Sequence, residues 1–319
     1  MKNKMLARYS LTAAAVVCAT FGSLSYADSV LVNADNYSEL QQQVESLKDP
    51  SHTLVVLDDD NTLTTLPCPD AKNLGTCQYL GGTAWGIWQG SLPSNSPLKV
   101  APTNDQIYKI NNLLFAMSQS VYTEPDVPSV LQNLTNSGVK IVIETARDPS
   151  MVTGTESELS LLKTPDNNSL LNFINQHALD SADADAKAGA NAPGVYTPCN
   201  DSSHRKVRYE DGVYYLAGQN KGVMLNCLFQ DLNLSTANPA ITHIVFMDDT
   251  LSNVNDVYQF FKTNPSYQVI SINYHGMDAH RDAFLKGPMA AKYQKHATKV
   301  WHQLNDAIQA GISKPSYLN

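Results

Sequence analysis

The clearest pattern along the chain is a set of short, largely apolar runs alternating with longer segments of helical periodicity. Leu54-Val55-Val56-Leu57 is wholly apolar with a β-branched pair at its centre and reads as a buried strand. Val139 to Ile143 and Ile241 to Met247 have the same character, and Tyr267–Ile272 adds another run. Between them, Ile107, Ile110, Leu113, Leu114 and Met117 fall on one face of a helix over Asn104–Val121. Further helices are predicted over Asn36–Lys48, Val127–Asn136, Asn253–Thr263 and most of Asp278–Ile312. A helix is also expected to start near Gln219–Gly222. Lys206 to Leu216 alternates around Glu210-Asp211-Gly212, a hairpin signal. Strands alternating with helices predict an α/β fold: a Rossmann-like parallel sheet with helices on both faces.

Two stretches break the pattern. Residues 64–103 are rich in Pro and Gly and contain Cys68, Cys77, Trp85 and Trp88. They are read as an irregular insertion, a cap or flap, in which the tryptophans either line a pocket or pin the insertion. Residues 149–205 are polar, include the Asp/Ala-rich tract Asp180–Ala192, and are read as a surface insertion with one helix near Ser169–Ala178.

Composition narrows the class. The chain has 319 residues, 43% hydrophobic and 16% charged, which is ordinary for a globular protein. Residues 1–27 read as a secretory signal peptide: Lys2, Lys4 and Arg8, then a short apolar stretch Leu11–Leu24, then Ser25-Tyr26-Ala27. The apolar stretch is too short for a membrane span, and Cys18 follows Val17, which argues against lipidation. The protein is therefore expected to be exported, periplasmic or secreted, with no stable membrane anchor after cleavage. Residues 28–319 would form one domain carrying the two insertions. Loss of residues 1–27 takes the formal charge from −8 to −11, because three basic residues and no acid are removed. An acidic chain without a basic stripe is a poor nucleic-acid binder. The four remaining cysteines allow three pairings. Proximity favours Cys68–Cys77 and Cys199–Cys227, against a buried free thiol at Cys227.

The chemistry sits at the strand ends. The first strand runs into Asp58-Asp59-Asp60-Asn61-Thr62, the second into Glu144-Thr145-Ala146-Arg147, the third into Asp248-Asp249-Thr250. A strand has period two, so Asp58 and Asp60 are expected to leave on one face and Asp59 on the other. In a parallel sheet these ends share one edge, where ligands bind. Three or four carboxylates, a hydroxyl and an ammonium (Lys221, at the predicted helix start) would then meet in one crevice. Such a set suits Mg²⁺ and the oxygens of a phosphate. An EF-hand calcium loop is excluded, since Leu63 and Pro69 stand at its Gly and Glu positions.

The segments VVLDDDNTL, VIETAR, GQNKG and VFMDDTLSN resemble, in order and strand context, the four motifs of the haloacid dehalogenase-like superfamily of phosphohydrolases. Within it, the chain most resembles an exported bacterial branch known as a domain of unknown function. The resemblance covers about residues 50–275. It implies a Mg²⁺-dependent phosphatase acting on small phosphomonoesters. Asp58 would be the nucleophile, forming an aspartyl-phosphate, and Asp60 the general acid and then base. Thr145 and Lys221 would hold phosphoryl oxygens. The metal would be bound by Asp58, the backbone carbonyl of Asp60, and Asp249, with Asp248 in support and Asn253 positioning the pair. Asp at position 60 separates the chain from relatives that pump ions, which carry Thr there, and from phosphonatases, which carry Ala. Asp59 is read as a solvent or hydrogen-bonding residue. His275 and His280 are read as structural, and Arg147 as contacting substrate or pairing with an acid. The competing functional readings are an exported binding or effector protein with little turnover, and a phosphotransferase.

Overall fold

A computed structural model of the chain describes residues 29–70, 72–179, 194–234 and 240–313. The leader 1–27 and the Asp180–Ala192 tract lie outside them. Among the described residues the centre is a seven-stranded sheet built from β1 (Val30–Ala34), β2 (Thr53–Leu57), β5 (Lys140–Thr145), β6 (Arg208–Glu210), β7 (Val213–Tyr215), β8 (His243–Asp248) and β9 (Gln268–Tyr274). The spatial order is β1-β9-β8-β2-β5-β7-β6. All neighbours are parallel except β6 and β7, the antiparallel hairpin read from Glu210-Asp211-Gly212. The fold is therefore the α/β arrangement expected from the alternating pattern.

Alternate residues of each strand feed opposite layers, as the pleat requires. Val55, Leu57, Ile143 and Met247 join a core with α1 (Tyr37–Ser46), α4 (Val127–Asn136) and α6 (Leu170–His177). Leu54, Val56, Val142 and Phe246 join a second core with α7 (Lys221–Asp231) and α8 (Leu251–Phe261). Burial on both faces is why these strands read as largely apolar runs.

A third core has no strands. It joins α2 (Thr83–Ser91) and α3 (Asn104–Met117) to α9 (Asp278–Leu285) and α10 (Ala290–Ser313) through Trp85, Trp88, Phe284 and Trp301. This corrects the reading of 64–103 as irregular. Ala84, Trp85, Trp88 and Gln89 form a buried helical face, but Gly86 and Gly90 lower the helix propensity that would mark it. The same stretch contributes β3 (Thr64–Thr65), which pairs with β4 (Val121–Tyr122) in a two-stranded ribbon. The 149–205 segment holds the expected helix as α6 and also an unexpected one, α5 (Val152–Leu161). Both disulfides, Cys68–Cys77 and Cys199–Cys227, are formed. No helix among the described residues is long and apolar enough to cross a membrane.

Candidate active site at the ends of β2, β5 and β8

β2 lies between β5 and β8, and the chain visits one side first and the other later. This reversal opens a crevice beyond the carboxyl ends of the central strands. Leu57 pairs with Ile143 on one side and Met247 on the other. The Asp58 N–H then donates to the Met247 carbonyl at 3.0 Å, which carries the ladder one step past β2 and sets Asp58 beside Asp248.

Lys221 ties the three strand ends together. Its Nζ lies 2.5 Å from Asp58 Oδ1, 2.6 Å from Asp248 Oδ2, and donates to the Glu144 carbonyl at 2.7 Å. The side chain is 1% exposed. Burial works against its charge, but the Asp248 and Asp58 carboxylates outweigh that and hold the ammonium above its ordinary range. Asn220 caps α7, its Oδ1 accepting from the Val223 N–H at 3.0 Å, so the helix starts with Lys221 facing the crevice. Gly222 lets α7 press against α8: a Cβ there would stand 2.5 Å from the Asp256 carbonyl oxygen.

One oxygen from each of Asp58, Asp248 and Asp249 lies within 4.8 Å of the others, all three residues being buried. Burial and the like charge of Asp248 raise Asp58 well above the usual carboxylate range, with Lys221 opposing. Burial and Asp248 likewise push Asp249 up to about 6. One ammonium thus faces more negative charge than it neutralises, and a hard divalent cation would relieve the excess. Opposite ligands of Mg²⁺ stand about 4 Å apart, close to the spread of these oxygens. Asp248 is otherwise engaged: Asn253 Nδ2 donates to both of its oxygens, at 3.1 and 3.0 Å, and the Thr250 N–H to Oδ1 at 2.8 Å. Asp249 is freer, held by Thr250 Oγ1 at 3.1 Å and by Arg281 at 3.6 Å.

The residues after Asp58 do not follow the expected alternation. β2 stops at Leu57 and the chain turns, with Asn61 at φ 64° and the Asp59 carbonyl accepting from the N–H groups of Thr62, Leu63 and Thr64. The turned backbone no longer has period two. Asp59 and Asp60 consequently both meet Arg147, while Asp58 meets Lys221. Asp59 is fully buried, which removes its reading as a solvent residue; its Oδ2 lies 3.0 Å from Arg147 and its Oδ1 accepts from Thr64 at 2.8 Å. Burial pushes it up to about 7 against the pull of Arg147. The Asp60 carboxylate lies outside the three-acid group and is bound by the Arg147 fork at 2.8 and 2.9 Å.

Thr145 closes β5, buried, its hydroxyl oxygen accepting from the Arg147 N–H at 3.2 Å. Thr62 is a residue that reading the motif for carboxylates passes over, although it closes the Asp58-Asp59-Asp60-Asn61-Thr62 run. Its hydroxyl donates to Asp58 Oδ2 at 3.4 Å and accepts from the Asp249 N–H at 3.0 Å, bridging β2 to β8. Glu144 is also new. It is fully buried, neither carboxylate oxygen has a hydrogen-bond partner among the described residues, and burial pushes it up to about 8 despite Lys221.

A cleft opens beside Asp60, lined by Asn61, Thr65, Tyr79, Phe115, Ser120 and His280 among others, with no lysine or arginine among the described residues that line it. His280 stacks on Tyr79 with ring centroids 4.7 Å apart and is lowered to about 4 by burial, so it is neutral near pH 7. His275 bonds Asp278 at 2.7 Å and Asn273 at 2.9 Å.

Residues 33–310 match the model of a family described as Protein of unknown function (DUF2608). No curated protein matches the chain. Among solved structures, the crystal structure of cytosolic 5′-nucleotidase IIIB (cN-IIIB) bound to cytidine matches at 13% identity and a TM-score of 0.35, covering 84% of this chain and 92% of that one.

Proposed function

We propose that this chain, which belongs to the DUF2608 family, is an exported, Mg²⁺-dependent phosphatase that hydrolyses phosphomonoesters through an aspartyl-phosphate. The observation that carries the reading is Lys221, buried and bonded at once to Asp58, Asp248 and the end of β5. A lysine so placed serves a site that handles negative charge, and the four motifs of the haloacid dehalogenase-like pattern meet around it.

In this reading Asp58 attacks phosphorus and the ester oxygen leaves with a proton from Asp60. Asp60 then takes a proton from the water that hydrolyses the acyl phosphate. Lys221 and the Thr145 hydroxyl hold phosphoryl oxygens as charge moves onto them. Asp58 and Asp249, with the Asp60 carbonyl, would hold Mg²⁺, and Asp248 would orient Lys221. When bound, the ion supplies the positive charge that lets a phosphate dianion approach three carboxylates. The cleft beside Asp60 receives the alcohol part of the ester. Two disulfides support an oxidising compartment.

The test is hydrolysis of an aryl phosphate with and without Mg²⁺, by the wild type and by Asp58→Asn. The variant should retain its circular dichroism and lose at least ~10³-fold in rate, the scale seen when an activated nucleophile is removed. Full activity in Asp58→Asn would end this assignment.

A further inference from the structure

We propose that Arg147 is a positioning residue that fixes the plane of the Asp60 carboxylate, and that α5 holds Arg147 in place for this purpose. The inference rests on the phosphatase reading, in which Asp60 moves the proton.

The contact is a two-pronged fork. Arg147 Nε donates to Asp60 Oδ2 at 2.9 Å and Nη2 to Oδ1 at 2.8 Å. Two parallel bonds define the carboxylate's orientation as well as its place, which a single ammonium cannot do. The rest of the guanidinium is locked from the far side. Nη1 donates to Thr155 Oγ1 at 2.9 Å and Glu158 Oε2 at 2.8 Å, both on α5. The Phe115 ring lies 4.2 Å from the guanidinium carbon and restricts its rotation. Arg147 is 3% exposed and Asp60 27%, so the rigid partner is inside and the carboxylate is at the lip of the cleft.

A purely structural arginine would not need this third acid. Asp59 and Glu158, both buried, already contact the inner side of the guanidinium at 3.0 and 2.8 Å. The Asp60 contact lies on the outer side, and what it adds is a fixed direction for that carboxylate. Proton transfer depends on placement: a misplacement of about 1 Å can cost about 10²-fold in rate. The first helix of the 149–205 insertion is thereby assigned to holding the acid–base group rather than to covering substrate.

Arg147→Lys keeps the charge and removes the fork. The experiment measures kcat/KM for wild type and variant across a series of phosphate esters running from acidic phenols to alkanols. Departure of an alkanol needs a proton from Asp60; departure of an acidic phenol does not. The variant is expected to lose about 10–100-fold on alkyl phosphates and under about threefold on the most activated aryl phosphate. A loss of equal size across the series, or none, overturns the role. Where Arg147→Lys does not fold, Glu158→Gln loosens the far end of the guanidinium and should show the same uneven loss at smaller size. Its evenness would overturn the role equally. A wild type with no more activity than Asp58→Asn removes the phosphatase reading and this role with it. An active wild type with an even Arg147→Lys profile removes this role alone.

Discussion

The Nζ of Lys221 stands 2.5 Å from Asp58 Oδ1 in a position almost closed to solvent, so the lysine charge and the expected nucleophile are a single buried unit. Removing the ammonium leaves Asp58 and Asp248 buried without it. Lys221→Met should therefore destabilise the protein by about 3–5 kcal/mol and lower phosphatase turnover by about 10²–10³-fold. Denaturant melts give the first number and steady-state kinetics the second. Mg²⁺ should recover part of the stability by taking over the neutralisation, which a melt at saturating metal would register. An unchanged melting curve would remove Lys221 from the charge balance of the site.

Much of this arrangement is legible in the sequence, for a physical reason. β2, β5 and β8 are buried on both faces, so each is an apolar run that ends abruptly in polar residues. The Asp58–Lys221–Asp248 unit follows from those endings and the helix start at Asn220. The directions of Asp59 and Asp60 do not follow, because they depend on a turn that begins right after Leu57. Helix α5 is invisible to hydrophobic periodicity because Thr155 and Glu158, on its buried face, are polar and serve Arg147. β1 is an edge strand with mostly exposed or half-buried residues, and gives no apolar signal.

Glu144 sets a pH dependence. Its carboxyl sits at about 8 in the folded protein against an ordinary value near 4.5, because burial disfavours the anion. The folded state therefore holds the proton more tightly than the unfolded chain. Stability is greatest below the unfolded value and falls as pH rises from about 4.5 through about 8. Asp59, at about 7, and Asp249, at about 6, act in the same direction. Metal-free protein should melt at a lower temperature at pH 9 than at pH 5. Glu144→Gln, which stays neutral, should be the more stable by about 4 kcal/mol at pH 9 relative to the difference at pH 5. Parallel pH profiles for variant and wild type would show that Glu144 is ionised in both states.

Gly222 controls how deeply α7 can seat. A methyl group there would meet the Asp256 carbonyl oxygen at 2.5 Å and Phe260 Cβ at 2.8 Å, and the nearer of these is backbone. The two helices must part, and Lys221, one residue earlier, moves with α7. Gly222→Ala should destabilise the protein by about 1–3 kcal/mol although alanine is the better helix former. Activity should fall beyond what the lost stability explains when both are measured at a temperature where the variant is fully folded. A gain in stability would mean that α7 and α8 are not locked at this point.

Thr62 joins the two halves of the acidic site through one hydroxyl, which donates to Asp58 Oδ2 at 3.4 Å and accepts from the Asp249 N–H at 3.0 Å. Its carbonyl is fastened separately, by Tyr37 OH at 3.0 Å and Thr123 Oγ1 at 2.7 Å, so the backbone here should survive loss of the hydroxyl. Thr62→Val keeps the shape and leaves the buried Asp249 N–H without its acceptor, for a loss of about 1–3 kcal/mol. Thr62→Ser keeps the hydroxyl and should lose under about 1 kcal/mol. The two variants should also separate in Mg²⁺ affinity by calorimetry, with valine weaker, because Asp58 and Asp249 are no longer held to one another. Equal Mg²⁺ affinity in the two would show that the acids find their places without Thr62.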